Sequence, residues 1–370
     1  MLSAMVACGP LWQRRAGAEV RAFAAPEPPA VTAKGVFVID AASGVPLFAH
    51  DPDAPFPPAS LTKIAAALVV LEWNQLDSLI EILPEDLVPP EESQVGLVAG
   101  DVLSARDLLF GALIPSGNDA TLALARTVGS QDLGDGATSD EAVARFVEMM
   151  NETALKLGAT NSVFMYPTGV DRDGHVMSAR DVATLSVAGL QNPLFAEIVS
   201  TSTITLPSQV KPEGYVVYTT NDLLVEGLAN GVKTGSTPKA GGCLSTSFMI
   251  GPAQVVAAVL GSEMVESEEG LVDYSARFAD TRTLMGAAEQ DYVWLDLLAP
   301  ETLEGLAEEL SVWGVAPPAE LRAPVPAADA RTVRYRLQLG PPEAAGDPSG
   351  ELQVYVGDAL LLTRPTISAS

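Results

Sequence analysis

Pro57-Pro58-Ala59-Ser60-Leu61-Thr62-Lys63-Ile64-Ala65-Ala66-Ala67-Leu68-Val69-Val70-Leu71 is the stretch on which the fold turns. Two prolines and a hydroxyl able to cap precede a run with the marks of a helix start. From Ile64 to Leu71 every residue is apolar. A helix apolar on nearly every face belongs inside a protein rather than on its surface. Ser60 and Lys63 are three apart at its beginning, so their side chains project from one face.

Outward from this helix the pattern changes twice. Upstream, residues 35–49 read as a hairpin, two apolar runs around a Ser-Gly turn. Downstream, residues 75–190 are mostly helical by pattern, with Ala105–Ala112, Asp119–Val128 and Glu141–Leu157 the clearest cases. Strand-like runs return at Ser202–Leu206, Leu244–Ile250 and Gln254–Leu260. A sheet assembled from both ends of a domain around a helical block is α+β architecture. A break near 288–300 precedes prolines at 300, 317, 318, 324 and 326 and the alternating runs Val333–Leu339 and Leu352–Val356. Period-2 alternation with Gly/Pro turns reads as half-buried antiparallel strands. The expected domains are a leader and Pro-rich tether over 1–33, a catalytic domain over 34–288 and a small β-rich domain over 289–370.

The 370 residues carry 21 Lys+Arg against 47 Asp+Glu, a formal charge of −26. Such acidity argues against nucleic acid and against adhesion to an anionic membrane. At 48% hydrophobic residues the chain can bury a large core, so it is not a disordered acidic tail. Cys8 and Cys243 are its only cysteines, and His50 and His175 its only histidines. That excludes a disulfide framework and a multi-cysteine zinc site, and no metal or other cofactor is implied. No apolar run approaches the roughly 18 residues of a membrane span. Met1–Trp12 is short and apolar, Arg14, Arg15 and Arg21 follow it, and Ala22-Phe23-Ala24 has the small-x-small form of a cleavage site. Met5-Val6-Ala7-Cys8 has the form of a lipoprotein box. Export is the expectation, through a signal or a lipid anchor at the N-terminus.

Three short motifs carry the chemistry. Ser60-x-x-Lys63 pairs a hydroxyl nucleophile with an amine that a dry, positively surrounded pocket can render basic. The pattern also occurs at Ser236-Thr237-Pro238-Lys239, so alone it is cheap. Ser116-Gly117-Asn118 sits in a loop after an apolar helix; its hydroxyl and carboxamide can relay a proton and hold an amide. The bland alternative is an ordinary helix cap. Lys233-Thr234-Gly235, before another apolar stretch, offers a cation, a hydroxyl and a glycine that admits a ligand close to an edge strand. The order Ser-x-x-Lys, Ser-x-Asn, Lys-Thr-Gly is a strong signal.

With these motifs the chain resembles the serine D-alanyl-D-alanine carboxypeptidases, the low-molecular-mass penicillin-binding proteins of peptidase family S11. The likeness extends to Val95-Gly96-Leu97 with Gly100-Asp101, Met149-Met150-Asn151, Leu157-Gly158-Ala159, Gly174-His175, Ala179-Arg180-Asp181 and Thr220-Asn221-Asp222-Leu223-Leu224. It is continuous over 34–288 and fainter in the tail, through Gly350-Glu351-Leu352-Gln353-Val354-Tyr355. The resemblance implies a penicillin-binding/β-lactamase-like transpeptidase domain, an antiparallel sheet flanked by helices plus a helical subdomain, followed by a small all-β domain. It implies an enzyme of the cell envelope that removes the terminal D-alanine of peptidoglycan stem peptides and is acylated by β-lactams. Ser60 would be the nucleophile and Lys63 its base, with Ser116 and Asn118 completing the catalytic set. Lys233, Thr234, Gly235, Ser236 and Thr237 would bind substrate, with the Ser60 and Ser236 N–H groups as oxyanion hole. Ser236 stands where relatives often have His, which implies a changed rate rather than lost activity. The membrane-anchoring C-terminal helix of many members is not seen. His175 is expected to be structural and Cys243 inert core. The rivals are a class A-like β-lactamase, with Glu148 and Asn151 as its deacylating pair, and an idle peptidoglycan-binding protein.

Overall fold

The computed structural model describes residues 21–369 except 268, 317, 319, 340–345 and 347. The apolar N-terminus, the lipoprotein box and Cys8 lie outside the described residues. The chain divides into two compact units, Ala25–Trp294 and a second made of the N-terminal residues to Ala24 with Leu295–Ser370.

The larger unit is built on a five-stranded sheet: β1 (Gly35–Asp40), β2 (Pro46–His50), β3 (Val232–Thr237), β4 (Gly241–Ile250) and β5 (Ala253–Ser262). Their order is β2-β1-β5-β4-β3, every neighbour antiparallel. Strands from both ends of the unit thus share one sheet, and β3 is an edge. β5 is apolar without alternation because both its faces are covered. Val256, Ala258 and Leu260 join one buried cluster, and Val255, Ala257 and Val259 the other. Fully covered sheets give such continuous runs.

Helix α1 (Thr62–Trp73) lies inside the first cluster, as its all-round apolarity requires; Ile64, Ala65, Val69 and Val70 are buried. Around it stand α2 (Ala105–Leu113), α3 (Asn118–Leu133), α4 (Ser139–Lys156) and α5 (Ala179–Leu190). The opposite face of the sheet is covered by α6 (Ala276–Asp291), through Phe278, Leu284 and Ala288. The Pro-rich stretch expected as a tether is tied to this unit. Thr32 donates its N–H and hydroxyl to Asp280, both at 2.8 Å, and Ala49 N–H donates to Pro26 O.

In the smaller unit, Val333–Leu339, Pro348–Val356 and Ala359–Ser368 form an antiparallel meander. Arg21–Ala22 pairs in parallel with the last strand, and Val315–Ala316 pairs with its far end. The short α-helix Leu306–Val312 and the 3-10 helix Ala327–Thr332 accompany these strands, additions to the all-β expectation. Among the described residues no single helix is long and apolar enough to cross a membrane.

Candidate active site

Ser60 lies in a 3-10 turn, Ala59–Leu61, that leads directly into α1. Its hydroxyl does not cap the helix, contrary to the capping expectation: the helix has no side-chain cap at all. Ser60 Oγ instead accepts from Lys63 Nζ at 3.1 Å. Ala59, at φ +48°, is a non-glycine residue in left-handed geometry, which costs about 1–2 kcal/mol. Two contacts hold it there. Thr62 Oγ1 donates to Ala59 O at 2.8 Å, and Gly169 packs against the same carbonyl. A Cβ on Gly169 would stand 1.9 Å from Ala59 O, so only glycine, here at φ +90°, fits.

Lys63 is 1% exposed. Its Nζ also donates to Asn118 Oδ1 at 2.6 Å and to Thr168 O at 2.8 Å. Loss of water pulls its pKa down to about 7, against the opposing pull of Glu92 and Asp119. Asn118 and Thr168 present carbonyl oxygens, which can only accept. Two of the three ammonium protons are therefore fixed, and the third points at Ser60. When that proton leaves, the lone pair faces the Ser60 hydroxyl, the geometry a general base needs.

Ser116 and Asn118 come from the loop between α2 and α3. The cap reading fails here also: Gly117 stands at the cap position just before α3, and there is no side-chain cap bond. Ser116 sits at φ +67°, and its buried Oγ has no hydrogen-bond partner among the described residues. An orphaned buried hydroxyl is free to take part in a proton transfer. Asp119 is spent on structure, accepting from the N–H groups of Val95, Gly96 and Leu97 at 2.9–3.0 Å.

β3 closes the site from the sheet edge. A Cβ on Gly235 would lie 2.9 Å from Ser60 N and 3.1 Å from Ala59 Cβ. The glycine is thus required by the approach of strand to turn, where the sequence suggested room for a ligand. Lys233 is 1% exposed and, among the described residues, its Nζ donates only to Thr234 O, at 2.9 Å. Its pKa is held well below normal by burial, then by repulsion from Lys63 and Arg277. Thr234 Oγ1 pairs with Thr220 Oγ1. Thr237 Oγ1 donates to Asp171 Oδ1 at 2.7 Å, so this hydroxyl is engaged. Ser236 is exposed and lies opposite Gly242 on the neighbouring strand. The second Ser-x-x-Lys forms no such centre: Lys239 is exposed, 3.6 Å from Asp173.

Four participants had no sequence signal. Thr168 and Gly169 arrive on a loop, Glu92 accepts from Asn118 Nδ2 at 2.6 Å, and Arg277 of α6 donates Nη1 to Gly235 O at 2.9 Å. Arg277 is depressed by burial and, like Lys233, has no carboxylate within ion-pair distance among the described residues. Lys63, Lys233 and Arg277 therefore form a cluster of basic groups in a strongly acidic chain, in which the other two depress Lys233. His175 is structural as expected: its Nδ1 accepts from Met165 N–H at 2.9 Å, so Nε2–H donates to Thr62 Oγ1 at 2.7 Å. Burial lowers its pKa to about 4. Cys243 is buried on β4 and its thiol is pushed up to about 11. The pair that favoured a β-lactamase points elsewhere. Glu148 binds Arg145, and the Asn151 carboxamide is spent on Phe164 and Val147.

A nucleophile with a dry lysine base, backed by Ser-x-Asn and a Lys-Thr-Gly edge strand, defines a serine acyl-transfer enzyme. Residues 22–264 match the D-alanyl-D-alanine carboxypeptidase family, peptidase S11, and the chain belongs to it. It is thus a serine-type D-Ala-D-Ala carboxypeptidase of the penicillin-binding class. The D-alanyl-D-alanine carboxypeptidase DacD of Salmonella typhimurium is 29% identical over 374 residues, 93% of this chain and 87% of that one. Penicillin-binding protein 6B of Escherichia coli superposes with a TM-score of 0.69 at 25% identity, over 94% of this chain and 98% of that one. The Streptomyces K15 DD-transpeptidase gives a TM-score of 0.63 at 29% identity, over 70% and 98%. Members of this family work on peptidoglycan in the cell envelope.

Proposed function

We propose that this chain trims the terminal D-alanine from peptidoglycan stem peptides outside the cytoplasmic membrane, through an acyl-enzyme on Ser60. The observation that carries the reading is the set of three bonds from Lys63 Nζ to Ser60, Asn118 and Thr168. Ser60 Oγ attacks the carbonyl between the two D-alanines and its proton passes to Lys63. The oxyanion rests on the N–H groups of Ser60 and Ser236. Ser116 carries the proton to the leaving D-alanine while the Asn118 carboxamide aligns the peptide. Lys233, Thr234 and Gly235 line the substrate side, with Thr237 at the end of the strand. The carboxylate of the leaving residue is drawn to Lys233 and Arg277, basic groups that form no ion pair among the described residues. The free edge of β3 offers its backbone to an extended peptide. Water then releases the acyl-enzyme. β-Lactams acylate the same serine. Export is carried by the N-terminal segment, as a cleaved signal or as a lipid anchor at Cys8, and the 289–370 region serves as an accessory β-rich domain.

Intact-protein mass followed in time after benzylpenicillin, with Ser60→Ala alongside, tests this. Wild type gains a long-lived adduct that maps to Ser60, releases D-alanine from a D-Ala-D-Ala peptide, and the variant does neither. A fleeting adduct with steady drug loss would indicate a β-lactamase instead, and no adduct an idle binding protein.

A further inference from the structure

Glu92 belongs to none of the three motifs, yet it touches the centre of the site. Its Oε2 accepts from Asn118 Nδ2 at 2.6 Å, while the other end of that carboxamide accepts from Lys63. Glu92 is not a loose surface acid. Its N–H donates to Pro89 O, Asn118 N–H donates to Ser93 O, and the Asp119 carboxylate clamps the next three amides, 95–97. The segment is thereby laced to the start of α3 at both ends.

We propose that Glu92 is a positioning residue of the acyl-transfer site: its carboxylate fixes which way the Asn118 carboxamide faces, and so supplies Lys63 with the acceptor that aims its amine at Ser60. The proposal rests on the Ser60–Lys63 reading above. A carboxamide has two unlike ends of nearly equal shape. With a carboxylate on one side and an ammonium on the other, a single orientation is allowed: NH2 toward Glu92 and oxygen toward Lys63. Without an acceptor at that position the group can turn over and set two donors against the amine, which then loses its acceptor. One Nδ2–H remains for substrate.

The charge has a second effect. The charged groups around Lys63 are Glu92 and Asp119, which favour its ammonium form, and Lys233, which is itself depressed by Lys63. Beyond Lys233 stands Arg277, and on the other side Glu92 acts on Tyr166, whose ring carries Arg172 at 3.8 Å. Glu92 is the larger of the two contributions that keep Lys63 protonated. Neutralising it makes the amine available at lower pH.

Acylation by benzylpenicillin, measured against pH for wild type, Glu92→Gln and Glu92→Ala with Ser60→Ala as blank, separates orientation from charge. Gln keeps an oxygen acceptor but no charge, so its maximal rate stays near wild type while the acid limb moves down by roughly one pH unit. Ala loses the acceptor, and its maximal rate falls by about 10- to 100-fold, the scale of a misaligned catalytic group. Unchanged thermal unfolding in both variants ties the effects to the site. Profiles that all coincide would overturn the proposal, as would a Gln variant as slow as Ala with an unmoved limb. So would a loss confined to hydrolysis of the adduct, which would make Glu92 a direct proton acceptor. Should wild type fail to acylate, the reading of the function falls, and NMR titration of 13Cε-labelled Lys63 still decides Glu92. A lower midpoint in Glu92→Gln supports the coupling and an unmoved one refutes it.

Discussion

Lys63 shows what burial does to one side chain. Its amine is surrounded by a hydroxyl and two carbonyl oxygens, and desolvation brings it to about 7, where half of it is neutral near physiological pH. The sign of the dependence follows. The neutral amine is the base, so acylation rises as pH climbs through about 7 and is lost below it. A rate profile for β-lactam acylation should show that acid limb, and a flat profile from pH 5 to 8, roughly the range in which such a base would titrate, would remove Lys63 from the role. Replacing Lys63 with Gln should slow acylation at least about 100-fold, as loss of a general base does. The residue types were legible from Ser60-x-x-Lys63 because the contact is local to one helical turn. The number that makes the lysine basic was not, because it depends on what surrounds it.

At the scale of elements, the site is made by close approach. The Thr168-Gly169 loop packs onto the Ser60 turn, and β3 packs beside it through Gly235. Both glycines stand where a methyl group would strike backbone, which cannot yield as a flexible side chain can. Gly169→Ala should therefore lower stability by more than about 2 kcal/mol and also slow acylation, since it displaces the carbonyl of Thr168 from Lys63. Thermal unfolding together with acylation rate checks this, and a variant normal in both would show that the loop tolerates movement. The elements themselves were largely legible. The 35–49 hairpin, the buried helix from Thr62 and the long helices of 105–157 follow from periodicity and turn residues. The capping role read for Ser60 was not upheld, because a serine before an apolar run is a cap by local rules and a nucleophile only by virtue of Lys63 and its neighbours.

At the scale of the molecule, an acidic chain brings three basic side chains together at the candidate site. These three, buried Lys63 and Lys233 and the partly buried Arg277, come from three elements distant in sequence. All belong to the Ala25–Trp294 unit, and the Streptomyces enzyme is matched over 98% of its length by 70% of this chain. A chain ended after Trp294 should accordingly still form the Ser60 adduct with benzylpenicillin, at a rate within about twofold of the full chain, as expected of sites that share no partners. Failure of a folded truncated chain to acylate would assign the C-terminal unit a part in catalysis.

The amino-acid sequence by itself determined the class of fold, the three motifs and the residue types that perform acyl transfer. These depend on short-range order: period, turn residues and a spacing of three along one helix. Only folding reveals that Thr168, 105 residues from Lys63, supplies its carbonyl, that Glu92 accepts from the Asn118 carboxamide, and that Arg277 reaches Gly235. Such partners carry no local signature. A carboxylate in a Pro-rich loop or an arginine in a helix is ordinary until folding removes the water around it and brings its partner within about 3 Å, the length of a hydrogen bond.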